Sequence, residues 1–155
     1  MNIVRNLTIV VMCIGLVSII VGSVYIAQSV EKSNWMKNAM RQEKVVVGLT
    51  EDQVKRGDVV DTPEKAQAAA DIIRGHRRAI APTYQDLLGG GKYDPTNPKH
   101  LNYAQALNME NYLYFAVLGF GVTTEIMGTG VFMIIVGIAL CGAGFAIYQL
   151  SRSVS

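Results

Sequence analysis

Polar and apolar positions fall in long blocks along this chain. Between Arg5 and Glu31 there is no Asp, Glu, Lys, Arg or His, and between Glu125 and Arg152 there is again none. Each window exceeds the roughly 18 apolar residues that mark a bilayer-crossing helix. Nearly all the charge lies between them. The pattern predicts an all-α fold: a membrane helical hairpin of two transmembrane helices with a small helical, loop-rich domain between them. The expected segments are a tail over 1–6, a first span over 7–27, an extramembrane stalk and loop domain over 28–126, a second span over 127–148 and a tail over 149–155. The first apolar run, Leu7 to Ala27, is longer than the roughly 7 to 15 residues of a cleavable signal core, so it reads as an uncleaved signal anchor.

Local signals place the helices of the middle segment. Gln28 to Lys44 contains neither Gly nor Pro, so the first helix is expected to continue as a polar stalk, with Trp35, Met36 and Met40 on one face. Thr50 and Gln53 have capping-box spacing, opening a short helix that Gly57 closes. Thr62 as N-cap and Pro63 at the first position open a longer helix that Pro82 stops near Ala81. On it Ala66, Ala69, Ile73, His76 and Ile80 form an apolar stripe, with Asp71, Arg74 and Arg78 turned away. The run from Gly89 to Pro98 reads as loop, and a last helix is expected from near Leu101 without interruption into the second span.

That last helix is too apolar for a single crossing. Tyr112 to Tyr148 carries one charge, Glu125, and is far longer than the roughly 20 residues a hydrocarbon core of about 30 Å requires. A span over 127–148 puts Glu125 at the membrane boundary and leaves Tyr112, Tyr114, Phe115, Val117, Leu118, Phe120 and Val122 in water. Apolar patches of that size mark interaction sites, so the stalk face, the Pro63 helix or another protein must cover this one. Shifting the span to begin at Tyr112 would bury Glu125, at about 2.5 to 3.5 kcal/mol, and strand Phe132 to Tyr148 in water. The spans also carry small-xxx-small pairs, Ser18 with Gly22 and Ala139 with Ala143, beside Gly137; these permit close helix packing.

Composition narrows the function further. The formal net charge of +2 over 155 residues gives no clustered basic surface for nucleic acid. Cys13 and Cys141 both lie in the apolar windows, and His76 and His100 lack a second ligand at metal-binding spacing, so no metal or cofactor is expected. No nucleophile elbow or phosphate-binding glycine loop is present, which predicts a protein that is not an enzyme and has no identifiable small-molecule substrate. Arg74, Arg77 and Arg78 are candidates to contact an anionic headgroup or a partner's carboxylate, with a solvated face as the plainer reading. Arg5 and Arg152 in acid-free tails favour cytoplasmic termini and an extracytoplasmic domain.

The expected function is an accessory or structural subunit of a membrane protein complex. Its partners would be the lipid bilayer and other membrane subunits, docked through Trp35, Met36, Met40, Tyr114, Phe115, Leu118 and Val122 and through the small-residue faces. The alternatives are a homo-oligomeric pore lined by Glu125 and a membrane-anchored ligand-binding or sensor domain using the arginine face.

Overall fold

The structure, a computed structural model, describes residues 2–153 and the side chains of residues 4–153. It is all-α, 83% helical, with no strand among the described residues. In chain order the helices are α1 (Asn2–Glu43), α2 (Glu51–Lys55), α3 (Pro63–Ile80), α4 (Tyr84–Leu88) and α5 (Pro98–Ser153). Helices α1 and α5 are each long and apolar enough to cross a membrane. The chain divides into two compact units, Met1–Lys32 with Val122–Ser155, and Ser33–Gly121.

In the first unit, α1 and α5 run antiparallel along a seam of small residues repeating every seventh position. On α1 these are Thr8, Gly15, Gly22 and Ser29; on α5 they are Thr123, Gly130, Gly137 and Gly144, and all eight are buried. A seven-residue repeat keeps one face toward its partner through a left-handed supercoil. The approach is backbone to backbone. A Cβ added at Gly22 would lie 2.5 Å from the carbonyl oxygen of Gly130, and one at Gly137 would lie 2.6 Å from that of Gly15. Hydroxyls at the edges bind the facing carbonyls: Ser29 Oγ donates to Thr123 O at 2.5 Å and Ser18 Oγ to Met133 O at 2.8 Å.

The small residues singled out from the sequence divide between this seam and the surface. Gly22 and Gly137 lie in the contact and Ser18 borders it, but Ala139 and Ala143 are exposed on the far side of α5. Spacing of four selects neighbours on any helix face, whereas the repeat of seven selects the face that stays against its partner.

The second unit is built around short, well-capped helices. Thr50 and Gln53 form the expected capping box at α2, and Thr62 Oγ1 accepts from Lys65 N at 3.3 Å at the start of α3. Helix α4, which lies between Pro82 and the glycine run, is set by Thr83 as N-cap and by Gly89 in the left-handed conformation, φ +55°. Helix α5 starts three residues before the expected Leu101 because Pro98 occupies its first position, where a missing N–H is harmless. Asn97 caps it, accepting from Lys99 N through its side chain at 2.9 Å.

Two apolar clusters hold these helices. Val60, Ala66, Ala69, Ala70 and Leu113 form the larger, with Met40, Val47, Ile73 and Val117 packed against it. Ala81, Leu87 and Tyr103 form the smaller, with Ile80 and Leu107. The alanine face of α3 is what lets neighbouring backbone come close, as at Gly48, where an added Cβ would meet Ala69 N at 3.3 Å. His76, expected on the buried stripe, is exposed instead. The core stripe of α3 is narrower than its apolar periodicity suggested, because alanines admit only a close, thin contact.

Candidate functional site

The juxtaposed apolar residues of α5 sort into two faces. Leu113 and Phe120 are buried, at 6% and 4% exposure, and Val117 packs against the larger core cluster. Tyr112, Phe115 and Leu118 face away and are 66%, 66% and 61% exposed, with Val122 on the next turn of α5 also exposed. The expected cover by the stalk or by α3 is therefore supplied only to the inner face. Of the stalk residues, Met40 joins the core cluster and Met36 Sδ lies where a Cβ on Gly119 would be 2.6 Å away, but Trp35 is exposed. Met36 and Met40 thus serve the inside of this unit rather than a docking surface.

Tyr114 is also taken inward. Its hydroxyl donates to Asp71 Oδ1 at 2.8 Å and accepts from Arg74, which also stacks its guanidinium 4.8 Å from the ring centre. Tyr114 belongs to a polar lock between α3 and α5.

The centre of that lock is Glu110, whose side chain is 7% exposed. Its carboxylate accepts from Arg77 Nε at 2.6 Å and from Arg74 Nε at 3.2 Å. Arg77 in turn donates to Tyr103 Oη at 2.5 Å. Burial opposes ionisation of Glu110, but the hydrogen bonds and charges of Arg77 and Arg74 outweigh it and hold its carboxyl below the ordinary glutamate range. The same Glu110 hydrogen bond pushes Arg77 further up. Arg74 and Arg77, candidates from the sequence for an outside anion beside the plainer reading of a solvated face, are occupied by a carboxylate of their own chain; Arg78 alone of the three is exposed.

No protein family, curated protein or solved structure matches this chain. His100 is engaged structurally: Nδ1 accepts from Asp94 N at 2.9 Å and the ring stacks on Tyr93 with centroids 5.6 Å apart. Glu125 is exposed on α5. What stands out against this background is the outer face of α5, three large side chains held outward on a helix whose inner face is locked in place.

Proposed function

We propose that this chain is a non-catalytic subunit of a membrane protein complex. In this reading α1 and α5 cross the bilayer as a hairpin with spans over 7–27 and 127–148, residues 28–126 form the extramembrane part, and both termini are cytoplasmic. The chain docks to another membrane protein subunit through the outer α5 face.

The observation that carries this reading is the exposure of Tyr112, Phe115 and Leu118 on a helix that packs Leu113 and Val117 in the larger core cluster and buries Phe120. Burying a side chain of this size contributes about 1.5 to 3 kcal/mol, so three of them anchored in a partner's groove suffice for a specific contact. Trp35 is exposed as well and adds a third aromatic anchor, this one on α1. Of the residues first assigned to docking, Trp35, Phe115, Leu118 and Val122 keep that role and Tyr112 joins them, while Met36, Met40 and Tyr114 are engaged within the unit. Gly22 and Gly137 hold the hairpin itself together.

The expected outcome of native purification in mild detergent is a complex of fixed stoichiometry with a different membrane protein. The double substitution Phe115→Asp with Leu118→Asp should abolish that complex while leaving the helical content by circular dichroism unchanged. An intact complex with the double variant would rule this docking face out.

A further inference from the structure

A cavity of about 640 Å³ opens in the Ser33–Gly121 unit beside the end of α1, lined by charged residues and by Val46, Val54 and Val59. The charged lining is built around Asp61, whose side chain is 12% exposed. Asp61 accepts from Arg41 Nε at 2.8 Å and from Lys65 Nζ at 3.2 Å, so one buried carboxylate fixes two cations at the cavity wall. Lys65 Nζ is held further by Val59 O at 3.1 Å. Arg41 is bound through Nε, which leaves the Nη groups to take another acceptor. Asp58, the other acid on the wall, faces Arg56 at 3.7 Å.

The third cation on this wall is Lys44, and its backbone sets it apart. Lys44 has φ +51° and is the non-glycine residue with positive φ among those described. Glycine is the residue that ends a helix this way without strain, because a Cβ is disfavoured in the left-handed region. A lysine stands where glycine would relieve the backbone, and it lines the cavity. Strain of this kind concentrates where a side chain is needed for binding.

We propose that this cavity binds a small molecule bearing a phosphate group. Arg41, Lys44 and Lys65 against Asp61 and Asp58 leave a net positive charge of one at the wall, the sign that attracts the charge of about −1.5 to −2 that a phosphate monoester carries near neutral pH. The guanidinium supplies the forked donors that suit phosphate oxygens and the two ammonium groups supply point charges. The valines receive the organic part of the ligand.

The test uses the full chain in phosphatidylcholine nanodiscs, with inorganic phosphate titrated at constant ionic strength against chloride. Calorimetry should show saturable phosphate binding and thermal unfolding should show a raised midpoint. Lys44→Gly should unfold at the same or a higher temperature than the wild type, because the strain is gone, and should bind phosphate about tenfold more weakly, the loss expected of one charge-assisted contact. Arg41→Gln should weaken binding to a similar degree. Discs containing phosphatidic acid distinguish the source: a raised midpoint without added phosphate identifies a lipid headgroup, and an unchanged midpoint identifies a free phosphate compound. No response of the wild type beyond chloride, or equal binding by wild type and Lys44→Gly, would overturn the proposal.

Discussion

Gly22→Val is expected to separate α1 from α5, whereas Gly128→Val is expected to leave their pairing intact. At Gly22 the first side-chain atom would sit 2.5 Å from Gly130 O and 3.0 Å from Ile134 Cγ1, and the first of these is backbone that no rotamer change can move. The helices must part along the seam. Parting them loosens the contacts of Gly15 with Gly137 and of Ser18 Oγ with Met133 O as well, because the repeat places them on one continuous line. Overpacking costs about 1 to 3 kcal/mol, and a clash with backbone belongs at the upper end. At Gly128 an added Cβ meets nothing within 4 Å. Thermal unfolding of the two variants in the same detergent provides the comparison, and equal midpoints would contradict the seam.

Glu110→Ala should destabilise the Ser33–Gly121 unit by about 3 to 5 kcal/mol, the range for removing one partner of a buried ion pair. The arginines explain the size of the effect. Arg77 has an 11% exposed side chain, so loss of Glu110 leaves a sequestered guanidinium with the neutral Tyr103 hydroxyl in place of a carboxylate. Arg74 is better solvated and contributes less. The pH dependence follows from the lowered carboxyl pKa of Glu110 in the fold. A depressed carboxyl contributes stability that is present above its unfolded value, about 4.3 for glutamate, and is lost as pH falls through the folded value. Asp61 is depressed too: burial opposes its charge, but Arg41 and Lys65 overcome it, so its contribution is lost on the same side. Acid titration of unfolding should therefore show Glu110→Gln losing less stability than wild type below about pH 4.3. Parallel titrations of the two proteins would contradict the assignment.

These two predictions also mark where sequence reading succeeded and stopped. Helix ends written in neighbouring residues were legible: the Thr50 capping box, the Thr62 cap with Pro63, and the continuation of α1 to Glu43. Pro98 opens α5 rather than ending the loop, because proline breaks a helix interior but favours its first position. The seam was present as Thr8, Gly15, Gly22 and Ser29 on one helix and Thr123, Gly130, Gly137 and Gly144 on the other, and pairing residues four apart concealed it. The Glu110 lock had no local signature. Glu110 stands 33 positions from Arg77 in sequence, and only the packing of α3 against α5 brings them together. The same long-range packing decided which residues of the apolar stripe turned in, taking Leu113 and Phe120 and leaving Tyr112, Phe115 and Leu118 outside.

The most direct test of the docking face is a photo-crosslinking amino acid placed at Phe115, with a control at Arg78, which is exposed on α3. After irradiation in native membranes, the Phe115 position is predicted to yield an adduct with one distinct membrane protein while the Arg78 position does not. An adduct only with a second copy of this chain, or no protein adduct at Phe115, would contradict a docking contact with another subunit.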